Sequence, residues 1–226
     1  SGNHNTIACS AGLHIEEGRW LANREYMRDY IRFWFSESGE PRKYSMWFAH
    51  AIYQYCLAAG DFRLAHEHLS ALVTNFEHWQ ESNQHQSGLF WSHDDRDGGE
   101  YSISGDGLRP TLNSYMYADA LAISKIARLC NRHNIAEEYH SRAAELKRLV
   151  HDRLWDQELN FFITGPAPSK SEPVVTFEHA GIPPARRVRE IYGYLPWKFG
   201  LAENDHIEAW RQLFDSAGFQ APHGPT

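Results

Sequence analysis

Apolar residues recur at helical spacing along the chain, and two kinds of predicted helix alternate. Residues 43–59 and 111–131 are apolar around most of the helix, which is typical of helices with neighbours on several sides. Residues 61–79 and 135–155 instead carry one apolar stripe and one charged face. The chain is therefore predicted to be all-α, with an inner layer of helices packed inside an outer layer.

The helix pair is followed by a second copy of itself after a little over seventy residues. Each predicted outer helix leads into a short aromatic segment, at 88–91 and at 159–162. We expect these segments to form short β structure in the loops. Two more helices are predicted, at 22–36 and at about 204–215.

Composition and charge exclude several classes of function. The chain has 226 residues, 42% hydrophobic and 23% charged, with no low-complexity linker, as expected for a single domain. The net charge is −7 and the 22 basic residues are scattered, which argues against nucleic-acid binding. No apolar run approaches the roughly 18 residues of a membrane span, so no membrane association is predicted. The N-terminus lacks a signal-peptide pattern, which favours the cytoplasm, with the periplasm left open if a leader has been removed.

No cofactor or metal is predicted. The three cysteines are odd in number and widely spaced, and fit small buried residues better than a disulfide framework: Cys9, Cys56 and Cys130. The spacing Asp95-x-Asp97-x-Gly99 resembles the start of a calcium loop, but the closing Glu is missing. His66 and His68 are two residues apart, so on a helix they face different ways and do not form a zinc motif. The remaining histidines are predicted to lie at the surface.

The segment DDRDGGEYSISGDG, residues 94–107, interrupts the helical pattern with five carboxylates: Asp94, Asp95, Asp97, Glu100 and Asp106. Aromatic residues flank it on both sides, and the whole chain is 14% aromatic with eight tryptophans. Such a supply of rings suits a large core or a carbohydrate cleft. The acidic loop is therefore predicted to form the rim of a pocket.

Residues 114–162, beginning SYMYADAL and ending LWDQELNFF, resemble the central catalytic region of glycoside hydrolase family 63. They are also similar to the related trehalases and mannosylglycerate-hydrolase-like enzymes, as is YLPWKFGL at 194–201. The resemblance implies an (α/α)6 toroid with catalytic loops at one end. This sequence supplies about three and a half of the six helix pairs, so residues 1–226 are interpreted as the N-terminal and central portion of one truncated catalytic domain.

The same resemblance implies that Glu100 is the general acid, at a position where these enzymes usually carry Asp, and that the catalytic base lies beyond Thr226. Inverting glycosidases need two carboxyl groups about 6.5–9.5 Å apart, one of them protonated. Neighbouring carboxylates and the adjacent Tyr101 favour a raised pKa for Glu100. Taken one by one, Asp94, Asp95 and Asp106 are predicted to be solvated loop charges or helix caps.

Substrate-binding candidates flank the predicted helices. Arg19 and Trp20 precede the first helix, as a sugar-binding loop or, equally, as a capping and packing pair. The tryptophans at 47 and 91 could stack on a sugar ring or belong to the core. Pro110 is expected to start the helix that follows the acidic loop. The loop and this helix contribute four more candidates, which join Trp47 and Trp91: Asp97, Arg109, Asn113 and Tyr117.

The sequence thus predicts an inverting glycoside hydrolase acting on a carbohydrate. Two other interpretations remain open: a sugar-binding or structural toroid segment without activity, and a polysaccharide lyase or epimerase, which would use a Tyr or His base with Arg or Lys. The inner helices should leave an apolar edge where the chain ends. We expect a partner chain or the missing C-terminal half to cover it, and the isolated 226 residues to have little or no activity.

Overall fold

A computed structural model describes residues 7–99, 101–166 and 187–225. The described part contains α-helices α1 to α7: Ala11–Gly18, Glu25–Trp34, Phe48–Ala59, Arg63–Asn83, Pro110–Leu129, His133–Leu154 and Leu195–Lys198. Strands β1 and β2, Trp155–Asp156 and Phe161–Phe162, pair antiparallel. Short 3-10 helices cover Ala8–Ser10, Asp94–Arg96, Ile191–Tyr194 and Asn204–Phe214. The prediction of an all-α fold with small aromatic β segments is confirmed.

The chain forms two compact units. The first contains Ser1–Gln84 and Tyr115–Glu145, and the second contains His85–Ser114 and Leu146–Thr226. Among the described helices, none combines the length and the apolar character that a bilayer crossing requires.

The first unit is built on apolar helix faces that the sequence pattern predicts. In α4 the buried residues include a stripe at helical spacing, formed by Ala65, Leu69, Leu72 and Phe76. In α5 the residues 115–120 are all buried. Gly60 adopts a left-handed conformation with φ of 65° and ends α3, as glycine does readily after a helix.

One helix of the first unit is not predicted by the sequence pattern. α1 is only eight residues long and has glycine near its start and at its end, which disfavours helix. Tertiary packing overrides that preference, because a Cβ on Gly12 would lie 2.5 Å from Met46 Sδ and 2.8 Å from the Trp47 ring. The small residue lets α1 lie directly against the segment that leads into α3.

The second unit has an aromatic core around β2. Phe161, Ala209 and Phe219 are buried together, with Tyr194 and Trp197 packed against them. The helix predicted at about 204–215 is present but is a 3-10 helix over Asn204–Phe214.

The prediction that the remaining histidines lie at the surface is wrong for His206, which is buried, and for His93, whose side chain is mostly enclosed. His68, for which no surface position was predicted, is buried as well. Local hydrogen bonds satisfy two of these rings: His68 Nδ1 contacts the Leu64 carbonyl at 2.9 Å, and His206 Nδ1 accepts the Glu203 N–H at 3.0 Å. A histidine can be buried at low cost when its polar atoms have such partners.

Candidate active site

The acidic loop belongs to the second unit and is closed at its neck. The backbone groups of Ser92 and Gly107 exchange two hydrogen bonds of 2.9 and 3.0 Å, and those of Leu108 and Gly165 exchange two more of 3.2 and 3.0 Å. α5 then begins at Pro110, whose ring fixes a helical φ and whose missing N–H would have had no partner at that position. Residues 93–106 therefore form a loop whose two ends are fixed before the helix begins.

Asp97 is buried inside this loop and accepts hydrogen bonds from four donors. The Nε and Nη2 atoms of Arg109 donate to its two oxygens at 2.6 and 3.2 Å. The Gly99 N–H donates at 3.1 Å, and the Thr111 hydroxyl also donates. The carboxylate is thus compensated by one charge and several dipoles, as a buried ion requires.

Arg109 binds the loop on both sides of position 100. Its Nη2 atom donates to the Gly99 carbonyl at 3.2 Å, and its Nη1 atom donates to Ser102 Oγ at 2.8 Å and to the Gly105 carbonyl at 2.6 Å. The residue is 0% exposed. One guanidinium at the base of the loop therefore fixes the chain before and after residue 100.

The Arg109–Asp97 pair stays ionised at neutral pH. Burial alone would lower the pKa of Arg109, but the Asp97 carboxylate and the Tyr192 ring raise it above its ordinary value. Burial raises the pKa of Asp97, against the opposing effect of Arg109. A guanidinium does not give up its proton in a protein, so a neutral Asp97 would leave a buried charge without a counter-ion. The ionised pair is the state that avoids this cost.

The backbone next to position 100 adopts unusual conformations. Tyr101 has φ of 60°, a left-handed conformation that is uncommon for a bulky residue, and Gly98 has φ of 85°. A Cβ on Gly99 would lie 2.3 Å from Arg109 Nη2, so only glycine permits this close approach. Such strain persists where the surrounding structure fixes it, and it concentrates at functional sites.

Tyr192 covers the guanidinium from outside the loop. Its ring lies 4.5 Å from Arg109 Cζ, and its hydroxyl contacts Ser104 Oγ at 2.6 Å and Thr164 Oγ1 at 3.1 Å. The hydroxyl also donates to Glu190, whose other oxygen accepts the Ile103 N–H at 2.7 Å. Burial raises the pKa of Tyr192 to about 12, so it remains a neutral donor.

A histidine and a carboxylate face each other at the neck of the loop. His93 Nδ1 lies 2.8 Å from Asp106 Oδ2, and Asp106 Oδ1 accepts the Asp94 N–H at 3.0 Å. The half-buried Trp91 ring lies perpendicular to the His93 ring, 4.9 Å between centroids. Asp106 and Asp94 are buried, so neither is a solvated loop charge. Asp106 instead fits the other predicted role, a helix cap, because it accepts the N–H of the first residue of the 3-10 helix Asp94–Arg96.

Among the predicted site residues, Glu100 lies outside the described residues. Asp97 and Arg109 are buried against each other, and the predicted contact of either with sugar stays a prediction. Asn113 is also buried: its amide accepts the Phe90 N–H at 2.8 Å and donates to the Phe90 and Arg109 carbonyls at 2.7 and 2.9 Å. It therefore joins the start of α5 to the aromatic segment before the loop.

Four predicted residues lie in the first unit. Trp20 is 71% exposed, with Arg19 4.9 Å above its ring. Trp47 is buried, donates from Nε1 to Glu16 at 2.8 Å and lies 4.8 Å from the Tyr115 ring. Tyr117 is buried on α5. Of these side chains, Trp20 alone is widely open to solvent.

Comparison with known proteins decides the class. The family model of the mannosylglycerate hydrolase MGH1-like glycoside hydrolase domain matches residues 3–226. The chain belongs to this family. The expected relation to toroid glycoside hydrolases is therefore confirmed, and this MGH1-like domain is a member of a family of glycoside hydrolase domains.

A solved structure also resembles the MGH1-like domain. It is titled "Sialidase", is 35% identical in sequence and superposes with a TM-score of 0.87. The match covers 100% of this chain but 20% of the sialidase, so the chain spans about a fifth of that protein. A search of curated proteins gave no match.

Sequence reasoning missed several residues that shape the MGH1-like loop. Tyr192 and Glu190 are almost ninety positions away along the chain, and nothing in the local pattern connects them to the loop. Thr111 looks like an ordinary helix-start residue, although its hydroxyl is bound to Asp97. His93 carries a weak signal, since it lies beside a run of acids and close to an aromatic segment.

Proposed function

We propose that this domain carries the general acid of an inverting glycoside hydrolase and that Glu100 is that acid. The observation that supports this most directly is the anchoring of the chain on both sides of position 100 by one buried guanidinium. The Gly99 carbonyl and the Ser102 hydroxyl both accept from Arg109. A general acid must be held within hydrogen-bond reach of the leaving oxygen, so fixed flanks favour that role.

The chemistry assigns one proton transfer to each of two carboxyl groups, of which one starts protonated and the other ionised. Glu100 donates its proton to the glycosidic oxygen as the bond from the anomeric carbon breaks. A second carboxylate on the opposite face takes a proton from water, whose oxygen forms the new bond with inverted configuration. In this proposal the second carboxylate comes from a part of the protein outside this chain or from a partner chain, because the resemblance implies a base beyond Thr226.

The surroundings of the loop favour a protonated acid. Burial raises the pKa of Asp94, with Asp106, Asp95 and Asp97 adding to that effect and Arg109 opposing it. Glu100 belongs to the same acidic stretch of sequence, and like charges that lie close together disfavour ionisation. Asp97 contributes less, because its charge is compensated by Arg109.

The lyase alternative receives less support. A lyase needs a cation that is free to neutralise a uronate carboxylate, and Arg109 already binds Asp97 with two of its nitrogens. Tyr192, which packs on Arg109, has a pKa of about 12 because it is buried, which does not suit a base near neutral pH. Membership of a glycoside hydrolase family supports a carbohydrate substrate, and the proposal specifies neither the sugar nor the linkage.

The test compares two leaving groups in the intact protein. Glu100→Gln should lower kcat about 10²–10⁴-fold on a methyl or disaccharide glycoside, which needs protonation of the leaving oxygen. It should have a much smaller effect on a glycosyl fluoride or 2,4-dinitrophenyl glycoside, which does not. NMR of the first-formed anomer checks inversion.

Glu137→Gln, an exposed change on α6, is the matched control and should leave both rates unchanged. An equal loss on both substrates for Glu100→Gln would mean that Glu100 is structural. Retention of anomeric configuration would reject the inverting mechanism.

A further inference from the structure

His93 is held in a defined orientation by Asp106. The 2.8 Å contact between His93 Nδ1 and the carboxylate places the ring proton on Nδ1, since a carboxylate only accepts. Asp106 is itself fixed, because its other oxygen accepts the Asp94 N–H at 3.0 Å. In the neutral form of the ring, Nε2 is then a hydrogen-bond acceptor whose direction Asp106 sets.

That acceptor has no hydrogen-bond partner among the described residues. The His93 side chain is 18% exposed, so the ring is mostly enclosed and still reachable. The Trp91 ring stands perpendicular to it at 4.9 Å. A buried carboxylate thus orients an imidazole whose other nitrogen binds nothing within the described part of the chain.

Asp94, the next residue, is a second acceptor of this kind. It is 6% exposed, and its carboxylate has no hydrogen-bond donor among the described residues. A carboxylate oxygen accepts a hydrogen bond from any hydroxyl group that reaches it. Two neighbouring residues thus present acceptors without donors at the neck of the loop.

The charge of the loop selects between ligand classes. Residues 93–109 contain five carboxylates and two arginines, and one of those arginines is bound by Asp97. An acidic sugar would be repelled, whereas hydroxyl groups can donate to both acceptors without adding charge. No cluster of three or more potential metal ligands occurs in the described ranges.

We propose that His93 and Asp94, beside the half-buried Trp91, form a subsite that accepts hydrogen bonds from hydroxyl groups of a neutral sugar. The proposal rests on the proposed function in so far as that function makes carbohydrate the ligand. Oriented acceptors give the directional part of sugar recognition, because each hydroxyl group must point its hydrogen at one of them. Asp106 acts as the positioning residue.

The test measures sugar binding by the intact protein, with tryptophan fluorescence and calorimetry as the two readouts. The probes are the methyl α-glycosides of glucose, mannose and galactose, with glucuronate and N-acetylneuraminate as acidic counterparts. His93→Asn places an amide near Nδ1, which keeps the contact with Asp106 and removes Nε2. His93→Gln places an amide near Nε2, which restores an acceptor there.

A neutral glycoside should bind, and His93→Asn should weaken that binding about 5- to 20-fold, as expected for one lost hydrogen bond. His93→Gln should recover most of the affinity. His85→Asn is the matched control, since His85 also makes an Nδ1 contact, to Ser87 Oγ at 2.9 Å, and it should not change binding. Thermal unfolding of all three variants shows whether a loss of affinity follows a loss of folded protein.

The proposal is overturned if no neutral glycoside binds, if an acidic sugar binds better, or if His93→Asn binds as the unaltered protein does. Its failure differs from that of the proposed function. If turnover depends on Glu100 but His93→Asn binds sugar as the unaltered protein does, only the proposed subsite is rejected. Binding of a neutral glycoside that depends on His93, without Glu100-dependent turnover, removes the acid assignment and leaves the subsite standing.

Discussion

Two buried aspartates, one in each unit, are stabilised in different ways. Asp97 in the loop accepts from a guanidinium, a hydroxyl and one backbone N–H. Asp119 on α5 accepts from the backbone N–H groups of His50 and Ala49 in the first turn of α3, with 3.0 Å to His50 N. Burial raises the pKa of Asp119 to about 8, because dipoles alone compensate its charge less well than a cation does.

The difference separates two uses of a buried carboxyl. Asp119 supplies a cap from a neighbouring helix, and it can do so as a neutral acid. Asp97 must remain charged because Arg109 is charged, and the pair in turn fixes the backbone around position 100. The first arrangement stabilises a helix end, and the second fixes a loop that by itself has little regular structure.

The largest effect should come from removing the cation. Arg109→Met leaves Asp97 buried without a counter-ion and frees the loop at Gly99, Ser102 and Gly105, so we expect a loss of about 3–5 kcal/mol in the free energy of unfolding. Urea denaturation of the protein measures it. The matched control is Arg148→Met, which removes an exposed pair with Asp152 and should change stability little.

A second variant sharpens that comparison. Asp97→Asn combined with Arg109→Met removes both charges, so the double variant should be more stable than Arg109→Met alone. A double variant that is as unstable as the sum of the two single variants would mean that the pair is not coupled.

Asp119 should give the next largest effect, and it depends on pH. Between about pH 4 and pH 8 the folded protein holds a proton that the unfolded chain releases, so the free energy of unfolding should fall as pH rises, by up to about 1.4 kcal/mol per unit. Asp119→Asn cannot titrate and should remove this slope. Any constant cost of the amide shifts the whole curve and leaves the slope as the measured quantity.

Denaturation between about pH 5 and pH 8, the range in which the two states differ in protonation, checks the prediction for Asp119. Equal slopes in the variant and the unaltered protein would mean that Asp119 is ionised in the fold. Asp152→Asn, an exposed change on α6, controls for general effects of a lost charge.

The smallest effect should come from one hydroxyl. Thr111→Val keeps the shape of the side chain but removes its donor to Asp97, and we expect a loss of about 1–2 kcal/mol in unfolding free energy. Thr111→Ser keeps the hydroxyl and should lose less. Equal losses for Val and Ser would assign the effect to packing of the methyl group.

The sequence predicts a helix well when residues within that helix alone set its hydrophobic pattern. The stripe on α4 and the extensive burial of α5 follow from spacing alone, and the helix start at Pro110 follows from proline chemistry. α1 is not predicted, because Gly12 is there for contact with Met46 and Trp47, which the local pattern does not contain.

The site is harder to predict, because the roles of its residues depend on contacts with residues that are distant in the sequence. The carboxylates of the loop look alike in the sequence, whereas their partners separate them: Arg109 for Asp97, His93 for Asp106, and no donor within the described residues for Asp94. Tyr192 reaches the loop from almost ninety positions away. Charge patterning indicates a pocket rim, and only tertiary contacts assign individual roles.

The closed neck at Ser92 and Gly107 has a consequence for exchanging the loop between related domains. Because the backbone hydrogen bonds between Ser92 and Gly107 do not depend on side chains, a foreign segment of different sequence could replace residues 93–106 and leave this pairing in place. Arg109 limits that freedom, since it stays behind in the recipient and needs acceptors from the incoming segment. A graft should therefore be accepted when it brings its own carboxylate at the position of Asp97, and rejected when it does not.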